Sequence, residues 1–553
     1  MKKSKKFIAL AIVLTMFVVL VAACGTNEPI TPTEPTGPAA PPTATGPTEG
    51  GGMVGGVDDV DEDAVFAEHI DIIIDNNNIA VVNPFNPAAN PTSTNWTFVM
   101  IHDRLVERDH ETGEFVASLA HDWATEDFQT FTFYLRDDVV FHNGQRFTAD
   151  DVVFTIEYAR EHGAGSPAAS QWAPVSQVRA IDDTTVELTL SGVFVDFLHN
   201  VSVPSASIVS RSALAADADT GTHIGTGPYH VIEFVSNDFL RMGRNHNFWN
   251  ERFNIVTEYV TLRFVPEMSA RTIRMQRGES QLSFGTSADD LPLFQDDPDN
   301  FQVIPQTFNN VQGFSFNMRD PLLQCLYLRL ALIHATNREE ATVFAASEWA
   351  AAINDNNGGD AVWGFATDFR NNNLPARQFD LDLARYYLEK SEYNGEELEI
   401  AVAIITNIRA AQALQQQWSQ IGVNTRINEM DSPGLSAYML APDTPSQIVV
   451  FNLATGLSAT VMMNSFMPDG VQNRMGFNNP EVTELFLQGG AEFDPNVRRD
   501  IYYRIQELVY EDPPFLNVFW RINGTVAAYG LGGIRLPSDN LQNDFREVFM
   551  VIG

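Results

Sequence analysis

The stretch VVFHNGQRFTADDVVF, residues 139–154, sets His142 close to Asp150 and Asp151. Imidazole and carboxylate groups ligate metals, so the stretch raises the question of a metal site. Its neighbours argue for local structure instead. Asn143-Gly144 is a two-residue hairpin signal, because a type I′ turn needs positive φ at both positions. Thr148 is a good N-cap with Asp151 at N3 as its capping-box partner, and Phe147 pairs with Val152 as a hydrophobic staple. Asp150 and Asp151 also suit the positive end of a helix dipole. Only His142 is left without a local task, and it has no H-x-x-H or cysteine partner nearby. The 11 histidines are scattered through the chain. No His, Cys and carboxylate set has metal-ligand spacing, so neither a metal nor another cofactor is expected.

Catalytic patterns are equally absent. The chain has no G-x-S-x-G, no H-E-x-x-H and no Cys-His pair in a suitable local context. Carboxylates are too numerous for one acid–base pair to stand out. A secreted, lipid-anchored hydrolase is the alternative from a different class, and these absences count against it. No enzyme reading finds support in these motifs.

The two cysteines sit in different settings. Lys2, Lys3, Lys5 and Lys6 precede an apolar run from Phe7 to Ala23, and small residues lead into Cys24. Residues 1–23 therefore have the layout of a secretory signal peptide. The run is near the lower limit of roughly 17 residues for a membrane span, which makes an uncleaved anchor the competing reading. The order Val21-Ala22-Ala23-Cys24 resembles a bacterial lipobox, in which the cysteine is acylated and becomes the new N-terminus. Stable anchoring needs more than one acyl chain, which the lipoprotein class supplies. Residues 24–64 are rich in Pro, Thr and Gly with few large apolar side chains. Such a segment cannot bury enough surface to offset its ordering entropy, and it reads as a mobile tether. The folded part should begin near Val65. Cys325, in PLLQCLYLRLAL, then has no intramolecular partner and reads as a small buried hydrophobe.

The net charge of −37 argues against nucleic acid as a partner, since phosphate binding needs clustered Lys and Arg. Past residue 6, Lys390 is the only lysine. Arg keeps its charge at pH values where Lys begins to lose it. Adaptation to alkaline or salty surroundings would account for this, with a genome-wide composition bias as the competing explanation.

The chain is too long for a single core and should split into two or more lobes. Residues 66–160 are mostly strand-like: HIDIIID and IAVVNPFNP are short apolar runs ending in turn residues. TFTFYLRDDVVF alternates apolar and polar residues as a half-buried strand does. TEYVTLRFVPEMSARTIRMQRGESQLSFG reads as strand, turn, helix and strand. The second half alternates helices and strands, with Gly422 at one turn and Pro513-Pro514 ending a helix. This is an α/β pattern.

Taken together, "VASLAHDWATEDFQTFTFYLRDDVVFHNGQRFTADDVVF", "IGTGPYHVIEF", "NHNFWN", "FSFNMRDPLLQCLYLRLALIHATNREE", "FDLDLARYYLEKSEYN", "QWSQIGVNTRINEMD" and "FNNPEVTELF" resemble the family 5 solute-binding proteins of ABC importers. That family comprises dipeptide, oligopeptide and nickel receptors. The resemblance implies an α/β, two-lobed Venus-flytrap fold with an extra subdomain in lobe I. Lobe I would take residues 66–315 and 506–553, with the subdomain near 107–222, and lobe II would take 316–505. It also implies a monomeric receptor at the outer face of the bacterial cytoplasmic membrane, which hands a solute to ABC permease and ATPase subunits.

The resemblance nominates site residues too. The loop after NNNIAVVNPFNP would line the cleft with Ser93, Thr94, Asn95 and Trp96, the last as a stacking surface unless it is a core tryptophan. Trp363 is a further aromatic, and Trp520 reads as core. Phe314 and Asn317 lie at the presumed crossover, where they would touch ligand or shape the hinge. Peptide-binding members carry an aspartate in a Gly-Trp-x-x-Asp-type segment that clamps the ligand's α-ammonium. The matching stretch, VVFNLATGLSATVMMNSFMPDG, has no acid between Phe451 and Pro468. An ammonium buried there unpaired would cost several kcal/mol. Phe451, Asn452, Thr455 and Asn464 are therefore expected to meet a capped peptide, an oligosaccharide or another neutral polar solute.

The near absence of lysine predicts that stability, measured by thermal melts, stays level from about pH 7 to about 10.5. A marked loss near pH 9 would argue for the composition-bias explanation.

Overall fold

The computed structural model describes residues 64–74, 82–86, 91–109, 114–346, 349–352, 373–431, 446–454, 462–468, 476–536 and 543–552, with single positions between. The signal segment, Cys24, nearly all of the tether, Trp363 and Thr455 lie outside the described residues.

The strands run in chain order as β1 (His69–Ile74), β2 (Val106–Arg108), β3 (Phe115–Ala117), β4 (Ala120–Ala124), β5 (Thr130–Leu135), β6 (Val175–Asp182), β7 (Thr185–Leu190), β8 (Tyr229–Val235) and β9 (Phe239–Arg244). They continue as β10 (Tyr259–Phe264), β11 (Leu282–Thr286), β12 (Phe301–Phe316), β13 (Ala350–Ala352), β14 (Glu397–Val402), β15 (Asn424–Glu429), β16 (Ile448–Ala454) and β17 (Phe515–Ala528). The helices that matter here are α1 (Pro91–Ile101), α2 (Ala149–His162), α3 (Leu291–Gln295), α4 (Leu326–His334), α5 (Arg338–Ala346), α6 (Ile405–Ser419), α7 (Pro480–Ala491) and α8 (Pro495–Glu511).

The main sheet has the order β15-β14-β16-β12-β17-β11-β1-β10-β9-β8. At one end β1 runs parallel to both β10 and β11. At the other, β14 runs parallel to β15 and β16. Parallel strands are covered on both faces, so they read as largely apolar runs, interrupted here by one buried acid each, Asp71 in β1 and Glu399 in β14. Ile70, Ile72, Ile73 and Ile74 are all fully buried, as are Leu398, Ile400, Ala401 and Val402. Each parallel set has its own core. One gathers β1, Trp96, Tyr229, Leu262 and Phe284; the other gathers β14, α4, α6 and Trp418. This is the two-lobed α/β architecture.

β12 and β17 belong to both lobes. They pair antiparallel over most of their length, from Phe301↔Ala528 to Ser315↔Phe515. The register shifts between Thr307 and Val311 and again between Gln312 and Gly313. Past the first shift β12 also takes β16 as a partner, Asn310↔Ala454 through Phe316↔Ile448. Gly313 is needed there: a Cβ on it would lie 2.3 Å from the Leu516 carbonyl oxygen.

Buried arginines fix the second crossover to its lobe. Arg329 on α4 donates to the Pro513 carbonyl at 2.7 Å and to Asp512 at 2.5 Å. Arg338 on α5 donates to the Asn517 carbonyl at 2.8 Å, and Arg377 donates to the Tyr510 carbonyl. These bonds satisfy main-chain oxygens where the prolines end α8. A second buried ionic cluster ties the C-terminal segment to β2, where Arg546 donates to Glu107 at 2.7 Å and to Asp544 at 2.7 Å.

A separate four-stranded antiparallel sheet, β4-β5-β7-β6, lies within the first half of the chain. Its core takes in Phe131, Phe133, Val152, Ile156 and Trp172. The stretch from 139 to 154 belongs here. The Asp151 carboxylate accepts from the Thr148 backbone N–H at 3.0 Å, completing the box at the start of α2, and from the Arg211 N–H at 3.0 Å. The turn differs from the expected I′ type. Gly144 has φ of 82°, but Asn143 is not among the described residues with positive φ. The Gly144 N–H donates to the Phe141 carbonyl at 2.8 Å. This is a turn over 141–144 closed by a left-handed glycine, so only one position needs positive φ.

His142 has a structural task that no local pattern reveals. Its Nδ1 accepts from the Gly225 N–H at 3.2 Å and its Nε2 donates to the Gly227 carbonyl at 3.0 Å. Its own backbone N–H donates to the Gly225 carbonyl at 2.9 Å. Here the ring clamps the Ile224-Gly-Thr-Gly-Pro228 turn. That turn lies on the end of α1, where a Cβ on Gly225 would sit 2.0 Å from the Ile101 carbonyl oxygen. Burial pushes the His142 imidazole down to about 4.

The folded ring thus stays neutral to about pH 4, whereas an unfolded one takes its proton near 6.5. In that window the unfolded state binds more protons, so stability falls as pH falls. Urea midpoints measured at steps from pH 7 to pH 4 should decline, and His142→Gln should flatten that decline while lowering the midpoint at pH 7.

Candidate functional site

In open α/β sheets ligands bind outside the carboxyl ends of the strands. The carboxyl ends of the two parallel sets face each other here, and one contact fixes this. Asp289 follows β11, and Arg409 lies on the second turn of α6, just after β14. Arg409 Nη2 meets Asp289 Oδ2 at 3.0 Å and Nη1 meets Oδ1 at 3.5 Å. The two residues belong to elements of different cores, so this pair spans the boundary between lobes.

One turn before Arg409, on the same helical face, stands Ile405 at 46 % exposure, and Ile404 beside it is 39 % exposed. Ile404 has φ of 68° and ψ of 130°, an outlier conformation for a β-branched residue that costs on the order of 1–3 kcal/mol. It swings the chain from β14 into α6. The strained Ile404 and its neighbour Ile405 thus leave apolar surface exposed in the stretch that carries Arg409.

α1, which follows β1 in the chain, carries four of the nominated residues. The structure places Ser93 and Thr94 in its first turn. Asn95 is buried, and its Oδ1 has no hydrogen-bond partner among the described residues. Such an acceptor is costly unless a donor reaches it. Trp96 is 4 % exposed, its ring 4.9 Å from Phe284 and 6.1 Å from Phe545 between centroids. It fills the core of its lobe and has no free face for stacking, which corrects the stacking role expected of it.

Phe314 is likewise a core residue, fully buried and paired in register with Val450 and Leu516. Asn317 is buried; its Nδ2 donates to the Ser446 carbonyl at 3.2 Å and its Oδ1 accepts from the Arg319 N–H at 3.1 Å. Both shape the end of β12. Phe451 and Asn452 lie on β16 opposite Gly313 and Gln312. They adjoin the register shift, and Asn464 lies on a short helix, Met463–Phe466, beyond that strand. The side chains of Ser93, Thr94, Phe451, Asn452 and Asn464 fall outside the described set. Among the described residues no three His, Cys, Asp or Glu side chains gather in a way that could hold a metal ion.

The family model for bacterial extracellular solute-binding proteins, family 5 (Middle), matches residues 114–472. The chain belongs to this family. It is 26 % identical to the dipeptide-binding protein of Escherichia coli over 382 residues, 62 % of this chain and 69 % of that one. It is 23 % identical to heme-binding protein A of Haemophilus influenzae, covering 78 % of this chain and 84 % of the other. Among solved structures it is similar to a dipeptide-binding protein from Pseudoalteromonas sp. SM9913 in complex with Met-Leu. The TM-score is 0.75 at 21 % identity, over 87 % of this chain and 99 % of the other. An agropinic acid complex of AgaA from A. tumefaciens gives 0.75 at 20 % identity, over 88 % and 99 %.

As a family 5 protein this is a non-enzymatic, extracellular or periplasmic receptor that works with ABC permease and ATPase components. No helix of the described residues is long and apolar enough to cross a membrane.

Sequence reasoning missed Asp289, Arg409, Ile404 and Ile405. Nothing local marks them, since their meaning lies in a contact between residues 120 positions apart. An exposed ion pair contributes about 0.2–1 kcal/mol, and salt screens it. Hydrogen exchange at 286–290 and at the first turns of α6 should therefore quicken in Arg409→Gln. It should quicken in the parent as salt rises, with no further salt effect in the variant.

Proposed function

We propose that this receptor captures a polar solute lacking a free α-ammonium group, peptide-like in size, by hinge closure at the register shifts of β12 and β17. One observation carries the reading: the segment Phe451–Pro468, which leaves the hinge along β16, contains no carboxylate. Without one, a buried ammonium stays unpaired at a cost of several kcal/mol. The exposed apolar surface of Ile404 and Ile405 and the buried acceptor of Asn95 suit a neutral ligand with apolar and hydrogen-donating parts. Relatives with diverse cargo by name, among them dipeptide-, heme-, nickel- and glutathione-binding proteins, support the view that this fold changes ligand through its cleft side chains. An oligosaccharide is the second reading, favoured by the amide- and hydroxyl-rich run Asn452, Thr455, Ser458, Thr460 and Asn464.

In this reading the lobes divide at the register shifts, within 307–313 of β12 and 517–522 of β17, so residues 506–516 go with the 316–505 lobe and not with residues 66–315 as the resemblance implied. Cys24 carries the acyl chains, and residues 24–64 tether the receptor as a monomer at the outer face of the membrane.

A thermal-shift screen of free and N-acetylated peptides, oligosaccharides and metal chelates tests the ligand class. A true ligand at 100 times its Kd adds about 2.7 kcal/mol, which is a clear shift. Acetylated peptides or neutral sugars should lead. If peptides with free N-termini give the largest shifts, the reading fails.

A further inference from the structure

The antiparallel four-stranded subdomain has a contact that its own folding does not require. Its core and the core of the α7–α8 hairpin share no residue. The hairpin packs on Met462, Phe466 and Phe477, which follow β16, and on Val311 and Phe515 of the crossover strands. It therefore moves with the lobe of β14–β16. Yet subdomain and hairpin touch at one place through three kinds of interaction. The Val195 N–H donates to the Gly490 carbonyl at 3.1 Å. Arg498 meets Asp196 at 3.3 Å, with side chains only 17 % and 22 % exposed. The rings of Phe128 and Phe493 lie 5.3 Å apart between centroids.

Two features mark this as a docking contact. Phe128 has φ of 50°, an uncommon conformation for a bulky residue that its surroundings must hold. The subdomain supplies that hold. The Phe128 N–H donates to Thr125 Oγ1 at 2.9 Å, and its carbonyl accepts from the Phe194 N–H at 3.0 Å. The ring is thus preset before the hairpin arrives. On the other side Phe493 keeps 53 % of its surface exposed, and Leu487 and Val497 nearby on the hairpin are 53 % and 45 % exposed. An interface this incomplete can part and re-form without unfolding either core.

We propose that the subdomain is a clamp for the α7–α8 hairpin, so that its engagement sets the balance between open and closed lobes before any ligand binds. The proposal rests on the hinge reading above. A ligand then shifts a balance that the clamp has already set, through its own differential affinity for the closed form.

The test needs no ligand. Nitroxide labels go on Gln177→Cys of β6 and Gln416→Cys of α6, both exposed, in the full chain carrying Cys24→Ser and Cys325→Ser. The second change is mild, because Cys325 is the N-cap of α4 and serine caps well. Pulsed dipolar spectroscopy on the parent should give one dominant distance. Phe493→Ser with Arg498→Glu should raise a longer-distance population about tenfold, from loss of an aromatic and an ionic contact. Circular dichroism melts check that the variants stay folded. The swap Asp196→Arg with Arg498→Asp should return most of the parent distribution. An unchanged distribution in the first variant, or no recovery in the swap, overturns the clamp. Asp289→Asn with Arg409→Gln separates the two readings. If only this pair lengthens the distance, the hinge stands and the clamp falls. If no variant and no hit of the ligand screen changes it, the hinge reading falls as well.

Discussion

The pairing of β12 with β17 is the constraint on which the rest depends. Two antiparallel strands run out of one lobe's sheet and into the other's, and they hydrogen-bond to each other on both sides of the boundary. A ladder of that length would make one stiff sheet. It does not, because its register breaks twice within a few residues, and a bulge bends a strand and loosens its pairing locally. Gly313 sits at the second break because its neighbour's carbonyl leaves no room for a Cβ. In the proposed closure, lobe motion is thereby confined to a few residues of two strands, which is the geometry of a hinge.

The arginines around Pro513 would keep the proposed hinge narrow. Arg329, Arg338 and Arg377 hold main-chain oxygens of residues 510–517, so the second crossover is fixed to its lobe right up to the break. A guanidinium can donate to several carbonyls in fixed directions, which an ammonium on a flexible stem does less well. The Arg-rich, Lys-poor composition therefore has a structural use here, whatever its origin. Across the cleft the opposite economy holds. Among the described residues, the contacts across it include one exposed ion pair, one largely buried ion pair, one backbone hydrogen bond and one partial ring pair, each of modest energy. Strong anchoring within lobes and weak contact between them leaves the balance within reach of a ligand of modest affinity difference.

Much of the fold was legible in the chain. The capping box at Thr148 and Asp151, the apolar runs of β1 and β14, the alternation of β5 and the stop at Pro513-Pro514 all follow from local rules, and the structure shows each. The turn at Asn143-Gly144 was read one position too strictly, because a single left-handed glycine suffices. His142 was left without a task because its partners, Gly225 and Gly227, lie more than 80 positions away. For Trp96 and Phe314 the sequence left two readings open for a related reason. An aromatic next to a cleft-forming loop looks the same in sequence whether its ring turns to the cleft or to the core, and here both turn inward.

The sequence by itself determined the periods, caps and turns, and with them an α/β chain whose motifs place it among family 5 receptors. It also determined the missing carboxylate between Phe451 and Pro468. Only the tertiary structure decided which residues face each other across the lobes: Asp289 with Arg409, Asp196 with Arg498, Phe128 with Phe493. The physical reason is range. Periodicity and capping are set by neighbours within one or two turns. A contact between lobes depends on where whole sheets come to lie, and no short stretch of chain records that.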